Sequence, residues 1–198
     1  MIKVLGRKTS GNVQKVVCTL EELGLPYERE DYGRQFNNTA DEKYLQLNPN
    51  GKVPTFVDGD VVIWESNSIL RYLAATSGKL SAADPAERSA VERWMDWQLG
   101  TLDPAYLPIF REAKTPPQER SAQFVTNAAA LGQTLSILER GMNGSSWVAG
   151  KNFTIADIAL GPVVHRCLAF DINLPALTNV RRWHGEMAKR PAFQKAIG

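Results

Sequence analysis

The 198-residue chain is poor in the side chains that bind metal ions or form disulfide frameworks, since it has two cysteines and two histidines. Cys18 and Cys167 are too few for a disulfide framework or a cysteine metal cluster, and His165 and His184 cannot supply a zinc site alone. No Cys-x-x-Cys pair occurs, and no tyrosine precedes Tyr27. We therefore expect no bound metal.

Excess charge and long apolar runs are also missing. The chain has 23 lysine and arginine residues against 21 aspartate and glutamate residues, a formal net charge of +2. Because the basic residues are scattered, nucleic acid is an unexpected partner. The apolar stretch 155–164 is too short and too interrupted to span a bilayer, and the N-terminus lacks a secretory h-region. We expect a cytoplasmic protein with no membrane partner.

The first eighty residues alternate between the apolar spacing of strands and that of helices. Gly24 is placed to end the first helix, Gly59 to turn a hairpin, and Ser66 to cap the last helix of this part. The predicted elements are strand 2–5, helix 13–23, strand 27–32, helix 41–47, hairpin strands 54–58 and 61–64, and the helix that starts at Ser66. Their order is βαβαββα.

A change of composition separates this part from the rest of the chain. Residues 80–85 are rich in small residues, aspartate and proline, which predicts a linker between a domain over 1–79 and a domain over 86–198. No convincing strand signal follows the linker. Two apolar stripes at helical spacing predict helices of a packed bundle. Their members are Val91, Trp94, Met95 and Leu102, and Phe124, Ala128, Leu131, Leu135 and Leu138.

A further helix signal begins at Thr154. With Asp157, it matches a capping box that has Asp in place of the preferred Glu, at the start of an apolar helix through Leu168. Pro162 interrupts this helix, and we expect a kink there. The predicted fold class is α/β plus all-α, with the βαβαββα domain first and a helical bundle domain second.

The first candidate site is the loop after the first strand, where Ser10 and Asn12 stand directly before a helix. Both are common capping residues, and capping alone would explain them. A hydroxyl at this position also lies beside the helix N-terminus, where unpaired backbone amides and the macrodipole favour an anion. The residues alone leave both interpretations open, and the same groups could hold a thiolate.

Two further candidate sites flank the predicted hairpin. Pro54 opens a strand, as edge-strand prolines do; if the Val53–Pro54 bond is cis, Val53 could pair its backbone with an extended peptide ligand. At the other end of the hairpin the chain enters a helix at Ser66. Ser66 could be a cap, or its amide and hydroxyl could bind a carboxylate while Glu65 takes an ammonium group.

Taken together, these motifs resemble the glutathione transferase superfamily across essentially the whole chain. The resemblance is carried by Ser10-x-Asn12-x-x-Lys15, Lys52-Val53-Pro54, Glu65-Ser66 and Thr154-Ile-Ala-Asp157, in that order. It implies an N-terminal thioredoxin-like domain, a C-terminal helical domain and a homodimer formed by the linker helices and the partner's N-terminal domain. It also implies that Thr154 and Asp157 form a structural folding cap.

The resemblance assigns glutathione contacts to five residues. Pro54 corresponds to the family's cis-proline, and Val53 pairs with the cysteinyl backbone of glutathione. Glu65 and Ser66 hold the γ-glutamyl end, and Lys52 lies near the glycine carboxylate or beside the γ-glutamyl contact. Glutathione is thus expected as co-substrate, without a metal.

Thiol activation is assigned to Ser10 first and Asn12 second, because the spacing from Ser10 to Lys15 resembles serine-type and bacterial theta-, zeta- or nu-like members of the family. A hydrogen bond to a charged sulfur contributes roughly 1.5–3 kcal/mol and a helix terminus roughly 0.3–2 kcal/mol, which lowers a thiol pKa by roughly one to three units. No histidine base is needed. Cys18 lies about two turns inside the helix and is interpreted as a buried apolar residue.

The electrophile is expected in an apolar pocket between the domains, beside the helix after the linker. Candidate residues are Tyr106, Ile109 and Phe110, with Trp97 or His165 as alternatives, although an aromatic stripe at helical spacing is as compatible with a core. Asp103-Pro104 should bend or break that helix.

The resemblance implies a glutathione S-transferase that conjugates the thiolate to small hydrophobic electrophiles. Two alternatives stay open. One is a glutathione-dependent peroxidase or disulfide-bond reductase, which the absence of Cys-x-x-Cys weakens for the thiol-oxidoreductase types. The other is a non-enzymatic glutathione-binding interaction module, since one fold hosts many functions.

Overall fold

The structure, a computed structural model, describes all 198 residues and divides into two compact units. Unit 1 comprises Met1–Ser81 and Ala188–Gly198, and unit 2 comprises Ala82–Met187. The predicted domains, 1–79 and 86–198, therefore differ from these units at the C-terminal segment, which belongs to unit 1.

Unit 1 has the predicted element order βαβαββα. Its sheet has the strand order β2-β1-β3-β4, in which β1 and β2 are parallel and the other pairs are antiparallel. The second strand ends two residues before the predicted boundary. The elements are β1 (Ile2–Leu5), α1 (Gly11–Leu23), β2 (Tyr27–Glu30), α2 (Glu42–Leu47), β3 (Thr55–Asp58), β4 (Val61–Trp64) and α3 (Ser66–Ser77).

The core of unit 1 lies between the sheet and helices α1 and α3. Val13, Val16 and Leu20 repeat at helical spacing along α1 and are fully buried, as is Phe56 of β3. Gly24 ends α1 with a φ of 67°, a left-handed conformation that glycine adopts without steric cost. The hydrophobic pattern thus determines both the helix face and the sheet face that meet.

Unit 2 is helical, as the sequence predicts. A π-helical segment, Gln98–Leu102, joins its first two helices, so the change of helix type falls before Asp103-Pro104. The last helix of the chain belongs to unit 1. The helices after α3 are α4 (Pro85–Trp97), α5 (Asp103–Glu112), α6 (Phe124–Gly141), α7 (Ile155–Ala169), α8 (Thr178–Ala188) and the last one, α9 (Pro191–Ile197). No helix combines the length and apolar character needed to cross a membrane.

Helix α7 continues through Pro162, whereas the sequence predicts an interruption there. A proline inside a helix removes one backbone donor and crowds the preceding turn. The residues around Pro162 are buried from Ile155 to Val164. Packing on all sides of this stretch holds the helix together across the missing hydrogen bond.

The predicted capping box at the start of α7 is present, and its carboxylate does more than cap. Asp157 is fully buried, and its Oδ2 accepts from the backbone N of Thr154 at 2.8 Å. Its Oδ1 accepts from the backbone N of Val148 at 2.9 Å and from Nε1 of Trp183 at 2.8 Å. One carboxylate therefore joins α7, the loop before it and α8.

The C-terminal segment is bound to unit 1 by ion pairs with α1. Nε and Nη2 of Arg190 each lie 2.6 Å from a carboxylate oxygen of Glu22. Lys195 Nζ lies 2.6 Å from Glu21 Oε1. A bidentate guanidinium–carboxylate pair is geometrically specific, so it defines where α9 lies against α1.

We predict that Asp157→Asn lowers the free energy of unfolding by about 3 kcal/mol, because an amide nitrogen would face donors that now point at a carboxylate oxygen. Chemical denaturation followed by circular dichroism measures the change. Asp171→Asn, at an exposed position, is the matched control and should unfold like the wild type. An Asp157→Asn protein as stable as this control would contradict the role assigned to the carboxylate.

Candidate functional site

The three predicted glutathione segments meet at one edge of the sheet in unit 1. Leu5, the last residue of β1, lies opposite Thr55, the first residue of β3. Thr55 in turn lies opposite Trp64, the last residue of β4. The loop after β1, the residues before β3 and the turn after β4 therefore leave the sheet side by side.

Gly6 allows the loop after β1 to pass close to its neighbours. A Cβ at this position would come within 2.4 Å of Val13 Cγ2 and 3.1 Å of the Val53 Cβ. Such contacts are shorter than van der Waals distance, so any other residue here would displace these two valines. This close approach brings the start of α1 next to the segment before β3.

Ser10 occupies the N-cap position of α1, but its side chain makes no capping hydrogen bond. It is buried, with 7% of its surface exposed. The Ser10 backbone is fixed by a hydrogen bond, in which its amide N donates to the Arg7 carbonyl oxygen at 3.1 Å. The hydroxyl therefore lies beside the unpaired amides at the start of α1 and accepts no hydrogen bond from them. Asn12, in the first turn, is exposed.

The Val53–Pro54 peptide bond is cis. Val53 is half-buried and Pro54 is buried at the start of β3, while Lys52 is exposed. The backbone of this segment thus turns directly before the sheet edge, with the Lys52 side chain on the surface.

A polar network beneath Lys52 was not predicted from the sequence. Tyr44 Oη donates to the Lys52 carbonyl at 2.6 Å, and Asn48 Nδ2 donates to the same oxygen at 2.8 Å. Thr55 Oγ1 donates to Tyr44 Oη at 2.9 Å. All three network residues are buried. Their only sequence signal is that polar side chains cluster beside a strand, which does not say what they bind.

Glu65 forms the turn between β4 and α3 with a φ of 68°. Few residues other than glycine adopt this conformation, and such strained positions cluster at ligand-binding sites. Glu65 holds the N-cap position, so the prediction that Ser66 caps α3 is wrong: Ser66 is the first helical residue. Its amide is one of the unpaired donors at the helix start, and the residue is buried.

Lys15 lies inside unit 1, although lysine is rarely buried. Its Nζ lies 3.5 Å from Oδ1 of Asn67, the second residue of α3. The N-termini of α1 and α3 both begin at the site edge, and each favours negative charge. A buried ammonium between these two helices adds to the positive potential, so the edge suits a ligand with anionic groups.

Cys18 is fully buried in α1, as predicted. Burial raises the pKa of its thiol to about 12, because the thiolate would lose its hydration. A thiol with this pKa is protonated at neutral pH and is a poor nucleophile. Burial likewise raises the pKa of the Cys167 thiol. Neither cysteine is suited to redox chemistry.

The residues predicted for the electrophile lie in α5 of unit 2. Ile109 is fully buried, so it has no exposed surface to offer a ligand. The Tyr106 ring stacks on Phe110 and on Phe170, with centroid distances of 5.2 and 5.9 Å. Arg166 Nη1 donates to Tyr106 Oη at 3.4 Å. Of the three candidates, Phe110 is the half-exposed one.

The two alternatives for the electrophile lie elsewhere in unit 2. Trp97 ends α4 and packs edge-to-face on Trp94, with ring centroids 5.2 Å apart. His165 of α7 contacts His184 of α8. Neither belongs to the ring stack of α5.

Two family models match the chain. One, described as the N-terminal domain of glutathione S-transferase, covers residues 2–75, and the other, the C-terminal domain, covers residues 102–191. The chain is 37% identical over 203 residues to the glutathione S-transferase GstB of Escherichia coli strain K12, covering 100% of this chain and 98% of that protein. It is 29% identical to the disulfide-bond oxidoreductase YfcG of the same strain, covering 94% of this chain and 90% of that protein.

Solved structures agree with these relatives. The theta class glutathione S-transferase of the citrus canker pathogen Xanthomonas axonopodis pv. citri, with glutathione bound, has a TM-score of 0.94 and 34% identity, covering 99% of this chain and 96% of that chain. Because both domains are matched and the relatives align over their full lengths, the chain belongs to the glutathione S-transferase family.

Proposed function

We propose that this transferase binds glutathione at the unit 1 sheet edge, ionises its thiol there and transfers the sulfur to a small hydrophobic electrophile. The observation that carries this proposal is the Ser10 hydroxyl, which lies at the N-terminus of α1 and makes no capping bond. A hydroxyl in this place can donate to a sulfur atom.

The chemistry follows from the difference between a thiol and a thiolate. A free thiol has a pKa of about 8.5, so only a small fraction is ionised at neutral pH. A hydrogen bond from Ser10 and the N-terminus of α1 both stabilise the charged form. Asn12 in the first turn is the second candidate donor. The proton leaves to solvent, and no side-chain base is required.

The rest of the tripeptide is assigned to the other two segments. The Val53 backbone pairs with the cysteinyl unit, next to Pro54. The amide and hydroxyl of Ser66 bind the γ-glutamyl carboxylate at the start of α3, and Glu65 takes its ammonium group. Lys52 lies on the surface, where it can meet the glycine carboxylate or the γ-glutamyl end.

For the electrophile, we propose an apolar surface that includes Phe110 and the ring stack around Tyr106. Aromatic rings with π-faces offer apolar contact area and stacking to aromatic electrophiles. Ile109 would act beneath this surface as packing. Arg166, which contacts both rings, holds them in place.

Reduction of disulfides by bound glutathione is the second candidate, by analogy with the relative named a disulfide-bond oxidoreductase. It would use the thiol of glutathione and not a protein thiol, since both cysteines are buried.

A homodimer is also proposed: β4 is an edge strand whose Val61, Val62 and Trp64 are partly exposed, as at a protein interface. A cytoplasmic location stays a prediction.

We predict that Ser10→Ala lowers turnover with chlorodinitrobenzene by at least about tenfold and leaves glutathione affinity similar at a pH below the pKa of the bound thiol, because the lost bond acts on the ionised sulfur. In the same variant, the pKa of bound glutathione, followed by thiolate ultraviolet absorbance against pH, should rise toward its free value. Folding should be unchanged, since the hydroxyl makes no capping bond.

Thr126→Ala is the control, because it removes an exposed hydroxyl from α6, outside the loop after β1. It should behave like the wild type. If Ser10→Ala kept wild-type turnover and thiol pKa, activation would pass to Asn12, and Asn12→Ala would then show the loss instead.

We predict that Phe110→Ala changes the ratio of kcat/KM between aromatic and small aliphatic electrophiles by about tenfold, because it removes a half-exposed ring. Tyr106→Phe, which keeps the stack and loses only the bond from Arg166, should change this ratio less. Leu107→Ala, an exposed position on the same helix, is the control. Unchanged selectivity in Phe110→Ala would rule out this surface.

We predict that Cys18→Ala retains conjugating activity and that neither cysteine of the native protein reacts with a thiol reagent at pH 8, because both thiols are buried. Unfolding in guanidinium should release two reactive thiols per chain. Rapid labelling of the native protein, or loss of activity in Cys18→Ala, would restore a thiol-based mechanism.

A further inference from the structure

The hydrogen bonds of the polar network beneath Lys52 converge on one atom, the Lys52 carbonyl oxygen. Nδ2 of Asn48 carries two N–H groups and donates to this carbonyl at 2.8 Å and to Thr55 Oγ1 at 3.0 Å. Thr55 Oγ1 donates to Tyr44 Oη at 2.9 Å, and Tyr44 Oη donates to the carbonyl at 2.6 Å. Two buried side chains therefore hold one backbone carbonyl directly, and a third supports both of them.

The direction of this carbonyl determines the direction of the amide that follows it. The Lys52–Val53 peptide bond is trans, and in a planar trans peptide the C=O and N–H groups point in opposite directions. Because the Lys52 carbonyl points into the network, the Val53 N–H points away from it. This N–H donates to no backbone carbonyl of the protein. It is therefore placed to donate to an extended ligand that lies along the segment before β3.

The network is fixed before a ligand arrives. At most 2% of the surface of Tyr44, Asn48 or Thr55 is exposed, so water cannot readily replace a lost donor. The Tyr44 ring stacks on Tyr32, with 5.0 Å between the centroids, and Asn48 Oδ1 accepts from Asn50 N at 3.0 Å. Burial raises the pKa of Tyr44, so its hydroxyl stays protonated and remains a donor at neutral pH.

We propose that Tyr44, Asn48 and Thr55 are positioning residues for glutathione. They hold the Lys52 carbonyl inward, and this directs the Val53 N–H at the carbonyl oxygen of the cysteinyl unit. The inference rests on the proposed function, which assigns that unit to Val53. It adds a division of roles: the network acts on the backbone of the tripeptide, whereas the groups at the start of α1 act on its sulfur.

This division predicts how different ligands respond. S-methylglutathione has the backbone of glutathione but no thiol that can ionise, so it is the probe for the network. A change in the network should weaken the binding of S-methylglutathione and of glutathione equally. Ser10→Ala should instead leave the affinity for S-methylglutathione similar and raise the pKa of the bound glutathione thiol.

The test is calorimetric titration of the full-length protein with each of the two ligands. Tyr44→Phe keeps the stacked ring and removes the hydroxyl that donates to the Lys52 carbonyl. It should weaken the binding of both ligands by about fivefold, because one hydrogen bond is lost. The kcat at saturating glutathione should stay within about twofold of the wild-type value, and the pKa of the bound thiol should not move.

Thr55 offers a matched pair of variants. Thr55→Val keeps the shape of the side chain and removes the hydroxyl, which takes an acceptor from Asn48 and a donor from Tyr44. It should weaken the binding of both ligands by about threefold. Thr55→Ser keeps the hydroxyl and removes a buried methyl group, so it should bind both ligands like the wild type. A role in packing alone predicts the opposite order.

Tyr27→Phe is the control for loss of a tyrosine hydroxyl in unit 1. Tyr27 Oη donates to Glu21 at 2.8 Å and does not belong to the network. This variant should bind both ligands like the wild type. The Val53 amide is the direct reporter: S-methylglutathione should slow its hydrogen exchange in the wild type and slow it less in Tyr44→Phe.

Wild-type affinity in Tyr44→Phe, or in Thr55→Val if the first variant folds poorly, would overturn the proposal. Equal losses in Thr55→Val and Thr55→Ser, or in Tyr44→Phe and Tyr27→Phe, would overturn it too. So would a Val53 amide whose exchange is unchanged when S-methylglutathione binds. In all these cases the wild type still binds and conjugates glutathione, so the proposed function stands. If the wild type binds neither ligand, both fail.

Discussion

The register of the four-stranded sheet is the constraint on which the site depends. Because Leu5, Thr55 and Trp64 lie in one row across three strands, the loops next to them emerge at one edge. Phe56, fully buried, pairs with Val4 and helps to hold this row. A slip of one residue would turn Phe56 to the opposite face and displace the loops. The apolar packing of Phe56 thus determines whether the loops of the proposed polar site come together at the sheet edge.

Fixed positive groups surround the proposed site and suit it to anions. The N-termini of α1 and α3 and the buried Lys15 provide positive potential that is in place before any ligand arrives, so little reorganisation is needed. Thr154 holds the N-cap position of α7 and caps it with its hydroxyl, whereas Ser10 holds the same position on α1 and does not. The Ser10 hydroxyl therefore has no capping role at the start of α1.

Most elements of the fold were predictable because their signals are local. The apolar spacing of α1 and the glycine that ends it, Gly24, act within a few residues. The capping box at Thr154 was predictable for the same reason. The cap of α3 was not, because it depends on the positive φ of Glu65, which the surrounding turn imposes. The network of Tyr44, Asn48 and Thr55 was missed because its partners meet only when α2 and β3 come together.

The sequence by itself determined the order of the elements, the apolar faces that pack and the residue types available at the sheet edge, since each follows from spacing and side-chain chemistry along the chain. Tertiary structure decided which distant groups meet. Arg190 and Glu22, 168 positions apart, bind the C-terminal segment to unit 1, and His165 joins His184 across two helices. No local pattern specifies such pairs, because burial and distance arise only when the whole chain has packed.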